Sequence, residues 1–220
     1  MIRQHRRTPA LLVLLLLQLA AKAQIDPGVR PISHYVLAAF TQGKVLEKNG
    51  SSTTAMLNYN TLTREMVFAS GEKYLAIAEP EKVDTVFIGA RTFIPEEKQF
   101  YEVLVKGKYP LAVTFSSSLE EEGNNIGYGM TSTTSSSSPL RTMMKNGSAY
   151  GLKLPDGYSI KTTTAYWLKV EGKWQRVTGF NQIAKALPEK KALINETVKA
   201  KKLEFNDTGD LVTLLQLINE

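Results

Sequence analysis

The chain has 220 residues, 27 Lys and Arg against 21 Asp and Glu, a formal charge of +6, and no cysteine. A chain of this length buries roughly 70% of its unfolded surface and needs no covalent staple. The lack of cysteine excludes a disulfide framework and any thiolate metal site.

The N-terminus has the three parts of an export signal. Arg3, Arg6 and Arg7 precede an apolar run from Ala10 to Ala21 that only Gln18 interrupts, and Ala21 and Ala23 form an A-x-A cleavage site. Residues 1–23 therefore read as a cleavable signal peptide, with Gln24 as the mature N-terminus. The run is short of the ~20 residues that span a bilayer, and no cysteine follows it to carry a lipid. Cleavage removes four basic and no acidic residues, so the charge falls from +6 to +2. That balance argues against nucleic acid as a partner. No second long apolar run follows, so no transmembrane segment is expected after cleavage. The location these residues imply is outside the cytoplasm. Residues 24–220 read as one domain because no Pro-rich or charged linker divides them.

Between about residues 35 and 115, short apolar runs alternate with turn signals, the pattern of an antiparallel β-meander, sandwich or barrel-like. Asn49-Gly50 predicts a tight hairpin between the runs at Val45-Leu46 and Thr53 to Tyr59. Within the second run Ala55, Leu57 and Tyr59 share one face and Thr54, Met56 and Asn58 the other. Met66 to Phe68, Tyr74 to Ala78, Val83 to Ile88, Phe100 to Val105 and Leu111 to Phe115 continue the series. Residues 117–138, rich in Ser, Thr and Gly, have little to bury and are expected to form a flexible loop. Tyr158 to Val170 and Trp174 to Val177 form a last hairpin about Glu171-Gly172-Lys173. The period then changes. Phe180, Ile183, Ala184 and Leu187 lie at i, i+3, i+4 and i+7, a second helix covers 189–202, and a third carries Leu211, Leu214, Leu215 and Ile218. The fold class expected is α+β, a β-meander closed by two or three short helices.

Chemistry-bearing motifs are few. After cleavage His34 is the sole histidine, too little for a zinc set, and a nucleophilic triad would have to use it although no G-x-S-x-G elbow accompanies it. Glu120-Glu121-Glu122 lacks the spacing of a calcium loop, and Gly127-Tyr128-Gly129 lacks the Lys and helix of a phosphate loop. No catalytic, cofactor or metal residue is assigned and no cofactor is expected. Sequons at Asn49, Asn146, Asn195 and Asn206, and the Asp84-Thr85-Val86 triplet, are patterns of low information in a Ser/Thr-rich chain. The aromatics carry more. Tyr166, Trp167 and Trp174 lie on the last hairpin, and the adjacent Phe100 and Tyr101 point to opposite sides of a strand, so one of them is expected to be exposed.

The segments GKVLEKNG, AMLNYNTLTREMVF, EPEKVDTVFIGARTFIP and FYEVLVKGKYPL, with GYGMTSTTSSSS and the C-terminal FNQIAKALPEKKALINETVKAKKLEFNDTGDLVTLLQLIN, resemble a group of exported Bacteroidota proteins of unknown function. The resemblance spans about residues 35–219, implies a bacterial envelope setting, periplasmic or outer-membrane associated, and supplies no catalytic residue. The function expected is non-catalytic binding of an envelope protein, peptide or glycan. A carboxylate-dependent glycan hydrolase and a structural subunit of an outer-membrane assembly are the alternatives. No pattern in the chain speaks to its oligomeric state.

Overall fold

The computed structural model describes residues 34–97, 99–121, 143, 147–154 and 157–220, and the signal-peptide reading lies outside them. Ten strands, β1 (Thr41–Glu47), β2 (Ser52–Asn60), β3 (Glu65–Ser70), β4 (Lys73–Ala76), β5 (Val83–Ile88), β6 (Arg91–Glu96), β7 (Gln99–Val105), β8 (Leu111–Glu121), β9 (Tyr158–Val170) and β10 (Lys173–Val177), form one open sheet. Its order is β10-β9-β8-β7-β6-β5-β1-β2-β3-β4. Two meanders are thus welded by the antiparallel β1–β5 ladder, after the chain returns from β4 through a single 3-10 turn at Pro80–Lys82. Three helices follow, α1 (Phe180–Ala186), α2 (Lys191–Lys201) and α3 (Thr208–Asn219). The fold is α+β, an antiparallel meander with C-terminal helices.

Local chemistry explains the turns and caps. At the first hairpin the Asn49 side chain accepts the Ser51 N–H at 2.8 Å, and Gly50 takes φ +89°, open to glycine without steric cost. Asp207 caps α3 by accepting the Asp210 N–H at 3.1 Å. Lys202 ends α2 in the left-handed region, and the Leu203 N–H returns to the Val198 carbonyl at 3.1 Å.

Strand register sorts the side chains onto two faces. One, the core face, carries Val45, Leu57, Tyr59, Val86, Phe93, Phe100, Glu102, Val113, Tyr166 and Leu168. A bulge between Leu46 and Glu47 of β1 leaves Asp84 as an extra residue on β5, so Val83 and Val86 are both buried. Two main clusters share the core face. The first joins Leu111, Val113, Tyr166 and Leu168 to Ile183, Leu187, Ile194, Leu211, Leu214, Leu215 and Ile218 of the helical segment. The second joins Leu57, Tyr59, Met66, Val86, Ile88, Phe93 and Phe100, and Phe115 packs against both. Tyr59 and Phe100 are four strands apart, roughly 19 Å in a flat sheet, yet their ring centroids are 6.4 Å apart. The sheet therefore curls around this cluster while remaining open.

The helices are tied to the sheet by more than apolar contact. Asn219 of α3 accepts the Tyr109 N–H at 2.8 Å and donates to the Tyr109 carbonyl at 3.1 Å, and Tyr109 donates its hydroxyl to Glu189 at 2.6 Å. Gly107, at φ +140°, leaves room for this clamp, since a Cβ there would strike the Asn219 amide.

One boundary differs from the sequence reading. Residues 117–121 continue β8 instead of opening a loop. Ser117 pairs with Thr162 and Leu119 with Ile160 on β9, and the Ser117 N–H donates to the Thr61 carbonyl at 2.9 Å. Ladder partners and hydroxyl bonds supply the order that apolar burial does not. The rest of the expected loop, 122–138, lies outside the described residues. Among the described residues no helix is long and apolar enough to cross a membrane.

Candidate aromatic and basic surface

The helices cover the core face of β7–β10, leaving the opposite face of those strands outside the helical core. Each polar and aromatic group on that face is set by register. Val170 and Lys173 flank the two-residue turn Glu171-Gly172, in which both residues have positive φ. That turn puts Lys169 opposite Trp174 and Trp167 opposite Arg176. Two indoles and two cations therefore alternate in a checkerboard on one face of the β9–β10 hairpin.

Hydrogen bonds orient the indoles. Trp167 Nε1 donates to Thr114 Oγ1 at 3.0 Å, and Trp174 Nε1 donates to Glu96 Oε2 at 3.2 Å. Glu96 lies on β6, four strands from β10 and roughly 19 Å away in a flat ladder, so the twisting sheet draws β6 and β10 together beneath the indole. Tyr101 forms the floor, its ring centroid 5.3 Å from Trp167 and 5.4 Å from Trp174. With the indole N–H groups engaged internally, what the two rings present outward is π surface.

The expectation that Phe100 or Tyr101 is exposed is corrected here, because both are buried. They do point to opposite faces, but Phe100 enters the second core cluster and Tyr101 is roofed by the two tryptophans. Trp167 and Trp174 remain half-buried. Tyr166, the third aromatic of this hairpin, faces the helices, its hydroxyl 2.7 Å from Thr208 Oγ1.

Lys169 holds its ammonium 5.3 Å from the Trp174 ring centroid. Neither Lys169 nor Arg176 forms an ion pair among the described residues. Arg176 also lines a cleft of about 410 Å³ between β10 and α1, with Gln175, Val177, Gln182, Lys185 and Ala186. No acidic side chain among the described residues lines it. The sequence reading singled out the aromatics of this surface and missed Lys169, Arg176 and Lys185. The Glu171-Gly172 turn was the available signal, because a two-residue hairpin fixes which residues stand opposite each other.

The groups weighed earlier for chemistry lie elsewhere. His34 is fully buried, its ring 4.6 Å from Tyr35, and neither ring nitrogen has a hydrogen-bond partner among the described residues. Around it, Asn60 donates to the Ala149 carbonyl at 2.7 Å, Tyr35 to the Tyr150 carbonyl at 3.1 Å, and Tyr150 to Glu65 at 2.7 Å. Burial pushes the imidazole below its ordinary value of 6.5, against a smaller opposing pull from the backbone at Gly151 and Ala149. The unfolded chain therefore takes up a proton near pH 6.5 that the folded chain refuses until lower pH, and stability falls on acidification. Thermal unfolding followed from pH 7.5 to 5.5 should show this fall in the parent, and His34→Phe should flatten the contribution from this site. Equal slopes for the two proteins would mean that His34 accepts its proton without penalty.

Glu102 is the buried carboxylate among the described residues, paired with Arg91 Nε at 3.2 Å. Its charged neighbour is a cation and not the second acid that glycan hydrolysis uses. Among the described residues no three His, Asp or Glu side chains gather as a metal site. Comparison with family models, curated proteins and solved structures finds no match to this chain.

Proposed function

We propose that this chain is an exported, non-catalytic envelope protein that binds its partner through the Trp167–Trp174 face of the sheet. The observation that carries this reading is the checkerboard itself. Two indoles are held in place by internal hydrogen bonds beside two cations that have no carboxylate partner among the described residues, on strands whose other face alone is used for the helical core. Arg176 is exposed and both indoles are half-buried, so this face meets solvent with aromatic and cationic groups together. Export is supported by the A-x-A signal and by the resemblance to exported Bacteroidota proteins.

The test is a binding screen of the chain from Gln24 onward against glycans, peptides and envelope extracts, read by intrinsic tryptophan fluorescence. Trp167→Ala is expected to weaken the best ligand at least tenfold while the far-ultraviolet circular dichroism stays that of the parent. A ligand whose affinity ignores both Trp167→Ala and Arg176→Gln would place the binding surface elsewhere.

A further inference from the structure

We infer that the ligand of this surface is a carboxylated saccharide, a chain of uronic or comparable acidic sugars, which rests on the binding reading above. The argument begins with what the indoles can offer. Their N–H donors are spent on Thr114 and Glu96, so what they contribute is π surface, which suits the C–H faces of a sugar ring, and Trp167 contributes more of it because Lys169 lies over Trp174. A cationic ligand is disfavoured because the Lys169 ammonium already lies over Trp174.

The charge around the rings then selects the sugar. Lys169 and Arg176 stand directly across the hairpin from the indoles, and Arg176 leads into the cleft that Lys185 and the carboxamides of Gln175 and Gln182 line. Lys185 is exposed and, like the other two, has no ion-pair partner among the described residues. Arg176 brings a planar fork matched to a carboxylate, and the lysines bring point charges. The acids nearby are Glu96, committed to Trp174, its neighbour Glu97, whose charge also reaches Tyr101, and Glu171 in the hairpin turn. Lys169 and Arg176 on the hairpin, with Lys185 in the cleft that Arg176 also lines, can receive more than one carboxylate of a polyanionic sugar chain. A single-stranded nucleic acid would also stack on the rings, but it presents a phosphate at every nucleotide. This surface has three cations, interrupted by Glu96, and the chain beyond the signal has a net charge of only +2.

The experiment uses the chain from Gln24 onward with four probes: hexagalacturonate, hexaglucuronate, a neutral glucose hexamer and oligo(dT). Titration calorimetry and tryptophan fluorescence are run at 50 and 300 mM salt. Binding of at least one uronate is expected, ten times or more tighter than the glucose hexamer and weakened by salt. Arg176→Gln with Lys185→Gln, both at exposed positions, is expected to reduce uronate binding tenfold or more and to leave the neutral hexamer unchanged. Equal affinity for the neutral and acidic hexamers overturns the acidic assignment and leaves the binding surface standing. Tighter binding of oligo(dT) than of either uronate overturns it in favour of a nucleic acid. If no probe binds or perturbs the fluorescence, the acidic assignment falls, and the broader screen with Trp167→Ala decides separately whether the surface binds anything.

Discussion

Leu214→Asp is expected to lower the unfolding midpoint by about 10 °C or more, or to prevent folding. Leu214 is fully buried on α3, within the cluster that joins Leu111 and Leu168 of the sheet to Ile183, Leu187 and Ile194. Removing such a side chain costs about 2–5 kcal/mol through lost transfer and the cavity left behind. A carboxylate in its place adds a polar group without partners, at a further cost of several kcal/mol unless it takes up a proton or the helix lifts away. A total of at least ~4 kcal/mol, at ~2–4 °C per kcal/mol for a chain of this size, gives the stated fall. The neighbouring Gln216 is exposed, so Gln216→Asp controls for helix propensity and should stay within about 0.5 kcal/mol of the parent. Should Leu214→Asp melt like the parent, α3 would not be docked in solution.

The second large effect belongs to Arg91. Its Nε lies 3.2 Å from Glu102 Oε1, and its guanidinium carbon lies 6.0 Å from the Phe115 ring centroid. Glu102 Oε2 and Arg91 Nη1 have no hydrogen-bond partners among the described residues. Burial drives the Glu102 carboxyl above its ordinary value of 4.5, and Arg91 pulls it part of the way back. Arg91→Met keeps the apolar stem and removes that pull, leaving a buried acid alone. The expected loss is about 2 kcal/mol near pH 7.5, below the figure for a fully buried pair because Arg91 is partly exposed.

The pH dependence follows from the sign of the shift. The unfolded chain releases this proton at lower pH than the folded chain does, so the penalty is absent below about 4.5 and grows as pH rises through the folded value. Urea unfolding at pH 5 and pH 7.5 should therefore show a smaller loss at the lower pH. Glu102→Gln in the Arg91→Met background should recover much of the loss at pH 7.5. Equal losses at the two pH values would assign the effect to packing on Phe115 alone.

How much of this architecture the chain announces depends on how local the cause is. Asn49-Gly50, Glu171-Gly172 and the stripe Leu211, Leu214, Leu215, Ile218 act within a few residues, and the hairpins and helices stand where those signals put them. The β1–β5 weld does not act locally. Val45 meets Val86 only after β2, β3 and β4 have intervened, and no turn residue encodes that pairing. Tyr101 shows a different limit, since period-two alternation separates two faces without saying whether the second is roofed. Ser117 to Glu121 read as loop because composition reports apolar burial and is silent about a ladder partner such as Thr162. For the candidate surface, the indoles were legible as residues, whereas their alternation with Lys169 and Arg176 emerges only when the register of the last hairpin is worked out.

The Asn219 clamp has a bearing on the order in which the molecule assembles. It satisfies both backbone groups of Tyr109 from 110 positions downstream. In a chain released N-terminus first, the connection between β7 and β8 is available long before the residue that completes it. Until then the Tyr109 amide remains with water, and the surface of Leu111, Val113 and Leu168 has no helix to cover it. Contacts this distant in sequence close slowly, since the entropy of the intervening loop is lost before the contact returns anything. The helical cap is therefore expected to form late in folding, and a nascent chain lacking α3 is expected to offer chaperones an apolar sheet to hold.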